Sequence, residues 1–146
     1  MTSRSILVVE DRDSLRRMLD EALSGEGWDV AVAATGEEAE ERLSARGFPL
    51  VLTDLKLPGR SGIEVLQAAR RLRPGTPVIV MTAFGTVSAA VRAMKLGAFD
   101  FVEKPIELDA LFDLVSSAVE SEPATAQSRR ERSEVKELFV QVPHLE

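Results

Sequence analysis

Apolar residues along the chain follow two periods in turn. Ser5–Val9 (SILVV), Leu50–Thr53 (LVLT) and Pro77–Met81 (PVIVM) are nearly unbroken apolar runs. Such runs suit strands buried on both faces of a parallel sheet. Trp28-Asp29-Val30-Ala31-Val32 sets its large apolar groups two apart and predicts an edge strand. Asp100–Lys104 (DFVEK) predicts a short fifth strand, also at an edge. Between the runs the period changes. Leu15, Met18, Leu19, Ala22 and Leu23 form one apolar helical stripe, which Gly25 and Gly27 end. Thr35 with Glu38, and Ser61 with Glu64, have the spacing of capping boxes that open a second and a third helix. Thr86 is placed to cap a fourth helix striped by Val87, Ala90, Val91 and Met94, with Gly97 closing it. Leu108, Leu111, Phe112, Val115 and Val119 stripe a fifth.

Strict alternation of strand and helix predicts an α/β fold, a doubly wound parallel sheet with helices on both faces. The flavodoxin-like order 2-1-3-4-5 puts the two partly polar strands at the edges and the three apolar ones in the centre. The pattern changes at Glu122-Pro123. Ala124–Ser128 is small and polar, Arg129–Arg132 (RRER) is charged, and Val135, Leu138, Phe139 and Val142 give a modest apolar pattern. We therefore expect a domain over 1–121 and, over 122–146, a linker with a short helix that wants a partner.

Composition narrows the chemistry. Of 146 residues, 45% are hydrophobic and 29% charged, ordinary for a globular chain. The absence of cysteine excludes disulfides, thiolate metal sites and Cys nucleophiles. The one histidine, His144, is read as a tail residue, which excludes a His-based triad or metal cluster. With 18 basic against 24 acidic residues, the chain lacks the basic footprint of a nucleic-acid binder. No apolar run approaches the roughly 20 residues of a spanning helix. The run Ile6–Val9 is too short for a signal peptide and ends in Glu10-Asp11. The expected location is the cytoplasm.

Ligands of doubly wound sheets bind beyond the carboxyl ends of the strands. The predicted strand ends are Glu10-Asp11, Asp54, Thr82-Ala83 and Lys104-Pro105. In the order 2-1-3-4-5 they bring three carboxylates, a hydroxyl and an ammonium to one edge. Packed carboxylates repel, and a hard cation relieves them. Mg²⁺ takes oxygen ligands and keeps several waters. The remaining groups then suit phosphate: a carboxylate can attack phosphorus, while a cation, a lysine and a hydroxyl stabilise charge on the transferring oxygens.

Four segments in this order and spacing, Ile6–Asp11 (ILVVED), Leu52–Gly62 (LTDLKLPGRSG), Val80–Ala83 (VMTA) and Phe99–Pro105 (FDFVEKP), resemble a response-regulator receiver domain. The resemblance covers roughly residues 4–121. It implies that Asp54 is the phosphoacceptor, and that Glu10, Asp11, Asp54 and the backbone carbonyl of Lys56 hold Mg²⁺. It further implies that Thr82 and Lys104 contact the phosphoryl group, that Pro105 follows a cis peptide, and that Phe101 is the switching aromatic. Met81–Pro105 more narrowly resembles receivers of the nitrogen-regulator type, which precede an AAA+ ATPase and a DNA-binding domain. The chain itself contains no G-x-x-x-x-G-K phosphate loop. Glu10 stands where Asp is commoner, and Phe101 where many members carry Tyr.

The implied function is a two-component receiver rather than a turnover enzyme. It would take a phosphoryl group from a sensor histidine kinase, catalyse its own aspartyl phosphorylation and dephosphorylation, and switch the face of helix 4, strand 5 and helix 5. A homodimer through that face and the linker is expected, with control of transcription through an output domain, or else service as a stand-alone phosphorelay receiver. Three other readings compete. An aspartate-nucleophile phosphatase of the haloacid-dehalogenase type wants a second Asp two residues after the nucleophile, where Lys56 stands. A phosphate-independent binding module would not need the full set of site residues. A flavodoxin would need a Thr/Ser-rich phosphate loop after strand 1.

Overall fold

A computed structural model describes residues 4–83 and 86–120. The expected linker, its short helix and His144 lie outside the described residues. Five strands, β1 (Ser5–Val9), β2 (Asp29–Ala33), β3 (Leu50–Asp54), β4 (Val78–Thr82) and β5 (Asp100–Glu103), alternate with five helices. These are α1 (Asp13–Gly25), α2 (Gly36–Ala45), α3 (Gly62–Leu72), α4 (Val87–Lys95) and α5 (Leu108–Glu120). All strand pairs are parallel, in the order β2-β1-β3-β4-β5. That is the expected flavodoxin-like order.

Side chains alternate faces along a strand, so each central strand feeds two cores. Ile6, Val8, Leu50, Leu52, Ile79 and Met81 pack with Leu19, Leu23, Leu111 and Val115 beneath α1 and α5. Leu7, Val9, Val51, Val78 and Val80 pack with Leu43, Val65, Leu66 and Met94 beneath α2, α3 and α4. Fully burying one such side chain contributes about 1.5–3 kcal/mol, which is why the unbroken apolar runs become the central strands. Among the described residues no helix is long and apolar enough to cross a membrane.

Local chemistry moves several expected boundaries. The second strand begins at Asp29, not Trp28, because the Trp28 amide donates to the Leu23 carbonyl (3.1 Å) in the turn closing α1. Trp28 is still buried, under the α1–α5 core, with the Arg4 guanidinium over its ring. β4 starts at Val78 and runs through Thr82, and β3 runs through Asp54. Lys104 falls just outside β5.

The caps differ from one another. Ser61 and Glu64 form the full capping box of α3. Thr35 accepts from the Glu38 amide, but the Glu38 carboxylate accepts from the Ala34 amide (2.8 Å) instead of closing on Thr35. Thr86 precedes α4, yet its hydroxyl donates backwards to the Ala83 carbonyl (2.6 Å) and caps no helical amide. Gly97 ends α4 with φ 108°, the left-handed region that favours glycine.

Candidate functional site

The site lies at the carboxyl edge of the sheet, and the strand register builds it. Ile6 pairs with Leu50 and Val8 with Leu52. The same parity carried two residues further sets Glu10 beside Asp54 on one face. The Glu10 amide donates to the Ala33 carbonyl (3.0 Å), so its backbone is held where β1 ends. Glu10 is fully buried, Asp54 is nearly so and Asp11 is exposed.

Lys104 closes the site from the far side of β4. Its amide donates to the Thr82 carbonyl (2.8 Å), which anchors the residue beside the β4 terminus. Its side chain then reaches across, and Nζ donates to Asp54 Oδ2 (2.7 Å) and Glu10 Oε1 (3.1 Å). The second oxygen of each acid is bound to backbone. Asp54 Oδ1 accepts from the Lys56 amide and Glu10 Oε2 from the Arg12 amide, each at 3.1 Å.

Burial pushes the Glu10 carboxyl above the usual glutamate range. The Arg12 amide opposes this, the Asp54 charge adds to it, and Lys104 opposes it. For Lys104, burial favours the neutral amine, but the hydrogen bonds and charges of Asp54 and Glu10 outweigh it and raise the pKa. The ammonium is thereby held in its charged form.

Glu10, Asp11 and Asp54 each offer a carboxylate oxygen, all within 4.8 Å of one another. This donor set is all hard oxygen and opens to solvent at Asp11, so waters can complete an octahedron. It fits Mg²⁺ better than a softer metal. The Lys56 side chain is exposed, and its backbone lies directly beyond Asp54. Thr82 is buried with its hydroxyl directed to the Val102 carbonyl (3.4 Å). Phe101 is half-buried against the α2–α3–α4 core, and the Lys104–Pro105 peptide is cis. The structure thus gathers Glu10, Asp11, Asp54 and Lys104 directly, with Thr82 one strand away and Phe101 on the flank.

Sequence reasoning missed two contributions to the site. Arg16 of α1 reaches back to the β1–α1 loop, with Nη1 donating to the carbonyls of Glu10 (2.9 Å) and Asp11 (3.4 Å). Gly62, the first residue of α3, lies against Asp54: a Cβ there would sit 2.1 Å from the Asp54 carbonyl oxygen and 2.4 Å from Leu55 Cα. Of these, only Gly62 left a trace in the sequence, as the last residue of the Leu52–Gly62 segment.

Comparison with known proteins identifies the family of the chain and its fold. The family model for the response regulator receiver domain matches residues 6–116. The chain is 37% identical over 134 residues to the response regulator protein PilR of Pseudomonas aeruginosa, covering 88% of this chain and 30% of PilR. It is 42% identical over 106 residues to the transcriptional regulatory protein ZraR of Escherichia coli O157:H7, covering 73% of this chain and 24% of ZraR. The chain therefore spans less than a third of the length of these two relatives. Among solved structures, the beryllofluoride-activated NtrC4 receiver domain dimer superposes with a TM-score of 0.75 at 33% identity, covering 80% of this chain and 96% of that one.

Proposed function

The chain belongs to the response regulator receiver domain family, of the nitrogen-regulator type, and from that premise we propose that it accepts a phosphoryl group on Asp54 from a sensor histidine kinase. The observation that carries this reading is the Asp54 carboxylate, nearly buried at the sheet edge, held between the Lys104 ammonium and the Lys56 amide, beside two further acids.

A carboxylate oxygen of Asp54 attacks phosphorus, and an acyl-phosphate O–P bond forms. The P–N bond to the donor's phosphohistidine breaks, and its electron pair stays on the departing imidazole. Attack by a carboxylate oxygen needs no general base, since there is no proton to remove, and Lys104 Nζ orients the group through its bond to Asp54 Oδ2. Glu10, Asp11, Asp54 and the Lys56 carbonyl would hold Mg²⁺, which supplies the positive charge that lets an anionic phosphoryl group approach three carboxylates. After transfer, Lys104 pairs with the phosphoryl oxygens, and the Thr82 hydroxyl exchanges the Val102 carbonyl for one of them. Thr82 and Phe101 belong to adjoining strands, with Val80 opposite Phe101. Movement of Thr82 therefore frees Phe101 to repack and biases the face of α4, β5 and α5 toward its second arrangement.

That face is the proposed homodimer surface, and residues 122–146 are the proposed linker to an output domain that controls transcription, in keeping with the longer relatives. Incubation with Mg²⁺ and a small acyl-phosphate donor should add one phosphoryl group, read by intact-mass spectrometry. Asp54→Asn should abolish the addition. Equal labelling of the Asn variant would remove Asp54 from the role.

A further inference from the structure

We propose that Arg16 is a positioning residue for the divalent-cation site, its guanidinium fixing the backbone from which the Glu10 and Asp11 carboxylates project. This inference rests on the cation site of the preceding section and deepens it.

The β1–α1 connection has a difficult task. It must hold Glu10 and Asp11 with carboxylate oxygens within 4.8 Å of each other and of Asp54, although like charges push them apart. Asp11 is exposed, so burial does little to confine it. The usual device for ordering a strand-to-helix turn is a short polar N-cap, as Thr35 and Ser61 provide for α2 and α3. Here the N-cap residue is Arg12, which makes no side-chain cap hydrogen bond.

Arg16 supplies the missing restraint from one turn inside the helix. Nη1 donates to both the Glu10 and the Asp11 carbonyl, and Nη2 pairs with Asp13, which orients the guanidinium plane. Two successive peptide carbonyls are thereby turned toward α1. The loop is pinned from the other side by the Glu10 carboxylate on the Arg12 amide. With both peptide planes fixed, Asp11 keeps its side chain at the site instead of swinging to solvent. The Arg16 side chain is about one-fifth exposed, so water competes only partly for these bonds. A planar fork can hold two carbonyls and a carboxylate together; a lysine ammonium is a point donor and cannot keep that geometry.

The test is cation binding by the full chain without phosphorylation. Free Mn²⁺ is followed by electron paramagnetic resonance during titration of wild type, Arg16→Ala and Arg16→Lys, with circular dichroism confirming the fold. Groups that orient metal ligands typically change metal affinity by about 10–100-fold when removed. Arg16→Ala is expected to weaken Mn²⁺ binding within that range, and Arg16→Lys by a smaller factor while retaining the charge and the helix. A role in holding α1 alone would lower the melting temperature and leave Mn²⁺ affinity untouched, and that outcome overturns the proposal. Should Arg16→Ala fail to fold, Arg16→Lys decides, and wild-type affinity in it overturns the proposal too. If the wild type binds no Mn²⁺, the cation site itself fails and this inference falls with it.

Discussion

Glu10 shows how one residue gives the site both its charge and a measurable pH signature. It is fully buried, yet it faces an acid as well as a lysine, and burial dominates its proton affinity. In a metal-free protein the folded state therefore holds the Glu10 proton to higher pH than the unfolded chain does. The linkage relation gives the sign: stability falls with pH wherever the native state binds more protons. The Glu10 contribution is complete below the ordinary value of 4.5 and is lost as pH rises through its raised folded value. Lys104 acts in the same sense in a separate window. Its contribution is complete below 10.5 and is lost as pH rises beyond that. Denaturant unfolding in EDTA, at steps from pH 4 to 8 for wild type and Glu10→Gln, should give a stability difference that shifts against the wild type as pH rises. A difference independent of pH would remove burial as the controlling cause. Sequence reasoning brought Glu10 and Asp54 to one sheet edge because each follows a predicted strand in adjoining positions, and the register then sets residues 10 and 54 on one face. It could not foretell Arg16, whose targets are backbone carbonyls. A cation on a helix surface has the same spacing whether it faces water or reaches back over its own N-terminus.

The junction between β3 and α3 makes two neighbouring residues separable by mutation. Ser61 caps α3 with a reciprocal box, a local contact worth about 1 kcal/mol when the side chain is truncated. Gly62 has a different job: the Asp54 carbonyl and Leu55 Cα occupy the space a Cβ would need, and its amide donates to the Leu55 carbonyl (2.9 Å). Backbone cannot yield as a flexible side chain can, so a methyl there must displace Asp54 itself. Ser61→Ala should lower stability by about 1 kcal/mol and leave the rate of acyl-phosphate labelling near wild type. Gly62→Ala should cost about 1–3 kcal/mol through overpacking and also slow labelling. Chemical denaturation beside a labelling time course distinguishes them, and equal labelling rates would show that Asp54 does not feel α3. The contrast also explains why caps were only partly legible. Spacing marks Thr35 and Ser61 alike as capping boxes, and position marks Thr86 as a cap, but the outcome depends on the turn before each. Glu38 finds the Ala34 amide, and Thr86 finds the Ala83 carbonyl, contacts set by loop geometry that spacing does not encode.

At the scale of the whole molecule, topology was the most legible property, because burial of both sheet faces leaves few arrangements. Unbroken apolar runs can only be central, and the alternating Val30 and Val32 and the short polar β5 can only be edges. That ordering sets Glu10, Asp11, Asp54 and Lys104 together from residues far apart in the chain. The fold thus stores a cluster of like charge at one edge, offset among the described residues by the Lys104 ammonium. A cation that binds there stabilises the native state alone, since the unfolded chain scatters the same acids. Linkage makes the size calculable: at ten times the dissociation constant, binding adds about 1.4 kcal/mol. For a domain of about 120 residues that corresponds to a rise in Tm of roughly 3–6 °C. Mg²⁺ added to EDTA-treated protein should produce this rise, which keeps growing with the logarithm of concentration above the dissociation constant and reaches no plateau, and excess EDTA should reverse it. Asp11→Ala should reduce the rise at the same Mg²⁺ concentration, because it removes an exposed ligand without touching either apolar core. A Tm that ignores Mg²⁺ in the wild type, or rises equally in Asp11→Ala, would mean that these carboxylates do not act as one cation site, and that Lys104 alone balances their charge.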